Sequence, residues 1–302
     1  MTDSKHFEVI IVGGSYAGLS AAMALGRSLR DVLILDSGNP CNKQTPHSHN
    51  FITQDGETPS SISNKAKAQV LSYPTVHFIN NKALNARKTG QGFMVETETG
   101  EVFQGKKLLF TTGVADIMPE IPGFAECWGI SILHCPYCHG YEVRNHKIGL
   151  LGNGDMGYEF AKFINNWSKD LVLFTNGKAT LSNEQINKIK GHNILLVEDP
   201  IKSIEHNAGQ MQNIVFTNNR KFSVSAMFAR VGFKQHSDIP EKLGCEITEQ
   251  GFIKVDDFNR TTVPGVYAAG DNTTMLRAVS QAAASGTKSG AIINKELIDE
   301  EF

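Results

Sequence analysis

What this chain lacks narrows its chemistry first. It has no excess of positive charge: 29 lysines and arginines stand against 31 acidic residues, a net of −2. That argues against nucleic acid and anionic membranes as partners. No apolar run is long enough to span a bilayer. The N-terminus is polar through His6, and the apolar run Val9–Val12 stops at glycines, too soon for the core of an export signal. Cysteines are few and odd in number, five in all: Cys41, Cys127, Cys135, Cys138 and Cys245. Without an export signal, that count argues against a disulfide framework and for cytoplasmic redox chemistry at one close pair. The tail Asp299–Phe302 adds no cysteine for a second shuttle, and no internal repeat or low-complexity tract interrupts the chain. What is left, 302 residues at 40% hydrophobic and 20% charged, is ordinary for a soluble globular protein of about two domains.

What is present is a redox pair between two glycine-rich turns. Cys135-Pro136-Tyr137-Cys138 lies between Val12-Gly13-Gly14-Ser15-Tyr16-Ala17-Gly18 and Gly152-Asn153-Gly154-Asp155-Met156-Gly157. Two nucleotide sites can move two electrons between cofactors, and a Cys-x-x-Cys pair can pass them on by thiol–disulfide exchange. Around the first turn, Phe7–Val12 reads as a strand, Leu19–Leu29 as an apolar helix, and Val32–Leu35 as a second strand ending in Asp36. An acid about 20 residues past the turn completes a dinucleotide fingerprint. Gly13, Gly14 and Gly18, with Ala17, permit a tight turn and close approach of a pyrophosphate, and the helix N-terminus supplies N–H groups to it. Asp36 suits a ribose hydroxyl. Ser15 replaces the second glycine of G-x-G-x-x-G, and its hydroxyl can donate to the phosphate.

The second turn satisfies G-x-G-x-x-G with Gly152, Gly154 and Gly157, between a strand at His146–Leu151 and a helix at Tyr158–Trp167. The next strand, Leu171–Phe174, runs into Thr175-Asn176-Gly177-Lys178. Within that stretch Lys178 is the one cation. It is a point charge without the arginine fork, and no acid waits there for a ribose. Binding of NADPH or NADH by Gly152, Gly154, Asp155, Gly157 and Lys178 is therefore an open expectation beside a Rossmann fold that has lost its nucleotide. Leu181–Lys190 reads as a polar helix, and Ile201–Phe228, with a turn at Asn218-Asn219, as a small β-meander.

Cys135-Pro136-Tyr137-Cys138-His139 also matches the c-type haem pattern, which the missing export route disfavours. Zinc would want a second Cys/His pair beyond His134 and His139, so no metal site is expected. His47 and His49, in the stretch Cys41–Asp55, read as solvated loop histidines.

Further residues carry a family resemblance. Thr262–Asp271 ends in Gly270-Asp271 before an apolar helix from near Ala278 towards Ile293, which looks like the second flavin motif of two-dinucleotide-domain flavoproteins. Leu108-Leu109-Phe110-Thr111-Thr112-Gly113 resembles the stretch where such chains leave the flavin domain. Over nearly its whole length the chain resembles the low-molecular-weight thioredoxin reductases. The resemblance implies an α/β fold of two Rossmann-like dinucleotide-binding domains, the second inserted into the first. It implies an FAD-binding domain over 1–116 and 238–302, and an NAD(P)-binding-like domain over 117–237 carrying Cys135 and Cys138. Linkers would lie near Ala115–Pro122 and Val231–Asp238. A homodimer and a domain rotation during turnover are also implied.

The same resemblance assigns roles. Thr112, Gly113, Gly270 and Asp271 would hold FAD, Asp271 through the ribityl chain. The helix N-terminus near Gln281 and Ala282 would face the isoalloxazine, where it would stabilise the reduced anion. Cys138 would meet the flavin and Cys135 would attack the substrate disulfide. Typical members carry aspartate after the second cysteine. Here His139 stands there, able to act as general acid and base near neutral pH or, protonated, to stabilise a thiolate. Cys138–Glu142 is closer to the fungal dithiol oxidases, which oxidise small-molecule dithiols.

The leading expectation is an FAD-dependent oxidoreductase passing electrons through Cys135–Cys138 to a thioredoxin-like protein or a small-molecule disulfide. The rivals are a dithiol oxidase with oxygen as acceptor, a reductase fed by ferredoxin, and a non-catalytic redox sensor.

Overall fold

The structure is a computed structural model that describes residues 5–302. The chain divides into two compact units. Unit 1 takes the residues up to Lys43, Pro59–Ala115 and Phe233–Phe302; unit 2 takes Gln44–Thr58 and Asp116–Gly232.

Unit 1 opens with β1 (Lys5–Val12), α1 (Tyr16–Arg27), β2 (Val32–Asp36), α2 (Pro59–Val70) and β3 (Val76–Asn80). β4 (Ala83–Thr89), β5 (Gly92–Thr97) and β6 (Val102–Phe110) follow. The sheet order is β3-β2-β1-β6-β5-β4. β1 lies between β2 and β6, parallel to both, with Val9 beside Val32 and Val12 beside Phe110. Where a central parallel strand is covered on both faces it is apolar at consecutive rather than alternate positions, as in the carboxyl half of β1, Val9–Val12. Ile10 and Ile11 are accordingly fully buried, each worth roughly 1.5–3 kcal/mol against exposure. The register sets the carboxyl ends of β1, β2 and β6 level with one another, where the first glycine turn begins.

Unit 2 follows β7 (Val114–Ile117). It holds α3 (Phe124–Cys127), β8 (Ile132–Leu133), α4 (Pro136–His139), β9 (Ile148–Leu151), α5 (Gly154–Ile164), β10 (Leu171–Phe174), α6 (Asn183–Gly191) and β11 (Leu195–Val197). Then come β12 (Ile201–Asn207), β13 (Gln210–Phe216), β14 (Lys221–Phe222) and β15 (Ala226–Ala229). A parallel sheet in the order β11-β10-β9-β15-β8 carries a second Rossmann-like layer, and β12-β13-β14 form a separate antiparallel sheet.

β16 (Gly232–Gln235) pairs with β7 where the chain leaves and re-enters unit 1. Unit 1 then closes with α7 (Ile239–Lys242), β17 (Val266–Ala268) and α8 (Val279–Glu301). β17 lies parallel to the carboxyl half of β6. α8 packs on α1 through small residues. A Cβ on Gly286 would fall 2.0 Å from the carbonyl oxygen of Ala17, so only glycine permits this approach. No helix among the described residues is long and apolar enough to cross a membrane.

Several element bounds differ from the sequence reading; α1, for one, begins at Tyr16 rather than Leu19. The expected meander over Ile201–Phe228 ends early: Ala226–Ala229 is buried throughout and joins the parallel sheet as β15. α5 begins at Gly154 rather than Tyr158, because Asn153 caps it from inside the glycine turn. Residues 44–58 group by contacts with unit 2.

Candidate active site

Unit 1 builds a cradle at the carboxyl ends of its strands. Gly13 has φ +108°, and a Cβ there would fall 2.4 Å from the Thr111 carbonyl oxygen. A Cβ on Gly18 would fall 2.0 Å from the Gly13 carbonyl oxygen. These glycines bring α1 and the end of β6 against the turn. The Thr111 hydroxyl locks the arrangement by donating to the Gly13 carbonyl at 2.6 Å. Asp36 accepts from the Gly14 N–H through Oδ1 at 2.8 Å and from the Gly38 N–H through Oδ2 at 3.0 Å. Each carboxylate oxygen retains a second lone pair for a ribose hydroxyl. Ser15 is the N-cap residue of α1 but makes no side-chain cap bond, which leaves the first N–H groups of that helix to an anion.

The other edge of the cradle comes from β6, β17 and α8. Ala17 packs within 3.1 Å of the position a Gly270 Cβ would take, and the Gly270 N–H donates to the Ser285 hydroxyl at 3.1 Å. Asp271 pairs with Arg277, Oδ2 to Nε 3.5 Å. Gln281 and Ala282 lie in the first turn of α8, which has no side-chain cap and no acidic residue in that turn. Gly113, at φ +63°, has open space where a side chain would be.

Buried polar atoms test whether FAD fits. Thr112 Oγ1, Asn272 Oδ1 and Gln235 Oε1 are buried without a hydrogen-bond partner. All three stand around the end of β6: the Asn272 amide donates to the Phe110 carbonyl at 3.0 Å, and the Gln235 amide to the Asn272 carbonyl at 3.1 Å. Buried orphans of this kind each cost roughly 1–3 kcal/mol, and a polar ligand relieves that cost. The residues present therefore fit a dinucleotide such as FAD. Asn272, Gln235 and Arg277 were missed in sequence, since none belongs to a glycine motif.

The second glycine turn keeps the backbone of a dinucleotide fold, and several of its polar side chains are bonded within the protein. Asn153 Oδ1 accepts from the Gly154 N–H at 2.8 Å, from the Thr180 N–H at 2.8 Å and from the Thr180 hydroxyl at 3.1 Å. Asn153 Nδ2 donates to the Lys178 carbonyl at 2.9 Å. Asp155 accepts from Gln185 at 2.8 Å. Thr175 donates to the Gly177 carbonyl at 2.6 Å, and Asn176 accepts from the Ile201 N–H at 2.7 Å. Gly152 and Gly157 serve packing, since a Cβ on Gly157 would fall 2.7 Å from the Gly152 carbonyl carbon. Lys178 itself is exposed. The loop after β10 is tied to its own glycine turn through Asn153, and Lys178 is its one cation.

Cys135 and Cys138 form a disulfide across one turn, with Cα atoms 5.3 Å apart. Pro136 starts α4, and the Cys138 N–H donates to Cys135 Sγ at 3.2 Å. Aromatic rings brace the turn. Tyr137 meets Phe163 and Trp167 edge-on, with centroids 5.7 and 5.6 Å apart. A Cβ on Gly140 would fall 2.8 Å from the Trp167 ring. His139 is mostly buried. Burial holds its imidazole below the ordinary histidine value, His49 pushes the same way, and Glu142 opposes them. His139 is therefore neutral at pH 7, suited to accept a proton rather than to sit beside a thiolate as a fixed cation.

His49 corrects the reading of solvated loop histidines. It is 19% exposed at its side chain, with Nδ1 3.7 Å from Asp55 and Nε2 3.6 Å from Glu142. Its ring lies edge-on to His139 with centroids 6.2 Å apart. Among the described residues no group of histidines, cysteines and carboxylates is arranged to hold a metal ion.

Comparisons with known proteins agree with this architecture. Residues 7–286 match the family described as pyridine nucleotide-disulphide oxidoreductase. The chain is 32% identical to thioredoxin reductase tcpT of Claviceps purpurea, over 99% of this chain and 96% of that one. It is 29% identical to thioredoxin reductase sirT of Leptosphaeria maculans, over 98% and 96%. A crystal structure of an oxidoreductase from Agrobacterium tumefaciens superposes with a TM-score of 0.91 at 33% identity, covering 97% of this chain and 99% of that one. The chain belongs to the pyridine nucleotide-disulphide oxidoreductase family and is an FAD-dependent oxidoreductase of the thioredoxin reductase-like kind.

Proposed function

We propose that this enzyme oxidises dithiols to disulfides through Cys135–Cys138. The observation that supports the direction is the second glycine turn, where the Asn153 amide caps Gly154 and holds Thr180 while Gln185 occupies Asp155. Electrons then enter from a substrate thiol rather than from a nicotinamide.

A substrate thiolate attacks Cys135 Sγ, breaking the Cys135–Cys138 bond and leaving Cys138 as a thiolate. The second substrate thiolate attacks the substrate sulfur of that mixed disulfide. A substrate disulfide leaves, and Cys135 departs as a thiolate. The Cys138 N–H already points at Cys135 Sγ and favours its departure as an anion. The substrate dithiol has given up two electrons and two protons: His139 takes the proton of the first attacking thiol, and the Cys138 thiolate takes that of the second. In unit 1, Gly13, Gly14, Ser15, Ala17, Gly18 and Asp36 would hold the pyrophosphate and ribose of FAD. Thr112, Gly113, Gly270, Asp271, Gln281 and Ala282 would hold the remainder. Bound FAD supplies a two-electron relay from the thiol pair to dioxygen, which leaves as hydrogen peroxide.

The test is aerobic turnover with a small dithiol and no nicotinamide. The expected result is one peroxide per disulfide formed, and a Cys138→Ser variant that stays yellow but loses on the order of a thousandfold or more of the rate. Full activity in that variant, or no peroxide from the native enzyme, overturns the proposal.

A second reading keeps the reductase direction toward a thioredoxin-like protein, and the names of the fungal relatives favour it. A homodimer in the cytoplasm belongs to either reading on the strength of the family resemblance. Light scattering and cell fractionation test those two points.

A further inference from the structure

The H-x-H of the segment between β2 and α2 is absorbed by nothing above, and it groups with the redox unit. Residues 48–57 form a compact loop. The Ser48 N–H donates to the Glu57 carbonyl at 2.7 Å, the Gly56 N–H to the Ser48 carbonyl at 2.9 Å, and the Asn50 N–H to Asp55 Oδ1 at 2.7 Å. His47 caps it, with Nδ1 2.9 Å from the Gly56 carbonyl. The loop presents His49 toward the turn that follows the cysteine pair. There His49 stands between Asp55 and Glu142, with its ring against His139.

From these contacts we infer that His49 is a positioning residue, which together with Glu142 governs the proton transfer that His139 makes with the Cys135–Cys138 dithiol. The inference rests on the proton-acceptor role given above to His139.

The geometry gives each neighbour a distinct sign. Protonated His49 is a like charge beside His139 and resists its protonation. Glu142 is an opposite charge beside both rings and assists it. The charged and titratable groups that act on His139 are His49 from the loop and Glu142 from the turn after α4, and His139 directly follows Cys138 in α4. Asp55 meets the other ring nitrogen of His49, Oδ1 to Nδ1 3.7 Å. His49 and Glu142 therefore act as opposed controls on one imidazole, so that the base is neutral when the thiols present their protons and returns them afterwards.

The test uses the intact flavoprotein, reduced with dithiothreitol under argon. The His139 imidazole is titrated by NMR, its resonance assigned with His139→Gln. The rate of alkylation of the reduced pair by iodoacetamide is followed over the same pH range. His49→Gln should raise the His139 midpoint, and Glu142→Gln should lower it, each by about half a pH unit or more. The alkylation profile should move with the midpoint in each variant. Midpoints that stay at the native value, or that move in the same direction in both variants, overturn the inference. If His49→Gln does not fold, Glu142→Gln alone decides: a lowered midpoint supports the inference and an unmoved one ends it. The readout does not depend on the direction of electron flow, so a failure of the oxidase reading leaves it intact and distinguishable.

Discussion

The two glycine turns of this chain share a backbone and differ in what their side chains do. At the first, the helix N-terminus has no side-chain cap, and buried polar atoms at Thr112 and Asn272 have no partner in the protein. At the second, Asn153 caps the helix and binds the neighbouring loop with four further contacts through its amide, while Gln185 takes Asp155. A site that waits for a ligand carries unpaid polar groups; a site that has abandoned one satisfies them internally. Motif matching alone ranks the two in the opposite order to their unpartnered polar atoms. The second turn fits G-x-G-x-x-G fully, and the first departs from it at Ser15.

The comparison is broken most severely at Gly18. In Gly18→Ala the new methyl collides with the Gly13 carbonyl oxygen, 2.0 Å from where it must sit, and with the Thr111 hydroxyl at 2.8 Å. Backbone must move, at roughly 1–3 kcal/mol or more. The expected outcome is purified protein with little bound flavin and almost no turnover, read from the visible spectrum and a dithiol assay.

His139→Asn comes next, with a loss of about 100- to 10,000-fold in dithiol turnover and unchanged flavin content. The pH profile carries the sign. Burial depresses the His139 imidazole. It is therefore a competent base above the unfolded value of about 6.5 and loses that role only as pH falls through its lower folded value. The native rate should hold level from neutral to mildly alkaline pH with respect to this group and fall on the acid side. Stability follows the same sign. The unfolded chain takes up a proton first as pH drops below about 6.5, so His139 destabilises the fold on acidification and not on the alkaline side. Thermal melts of the native protein and of His139→Asn between pH 5 and pH 8 should converge at the alkaline end, with these pH limits set by the histidine reference value of about 6.5.

Asn153→Ala should do least. Losing the cap costs about 1 kcal/mol, a few degrees of melting temperature, with dithiol turnover unchanged. A large drop in turnover would show that the second turn has a working role which the account denies it.

Much of this was legible in the sequence because the signals were local. The strand–turn–helix at Gly13–Gly18, the Cys-x-x-Cys turn and the Gly270-Asp271 motif each lie within one short stretch, and each forms where it was expected. What was not legible depends on distant partners. Asn153 reads as an ordinary residue between two glycines; its capping role appears only with Thr180 and Lys178 beside it. His49 looks like a solvated histidine until residues 44–58 group with unit 2 and Glu142 meets it. From sequence alone β15 falls within the meander, because a short apolar run carries no label for the sheet it joins.

The central claim is that electrons enter through the thiol pair and not through the second glycine turn. An anaerobic titration of the purified flavoprotein, first with NADPH, then NADH, then dithiothreitol, tests it directly by the flavin absorption band. The account predicts an unchanged band with both nicotinamides and full bleaching by the dithiol. Rapid bleaching by either nicotinamide would contradict it and assign the enzyme to the reductase direction.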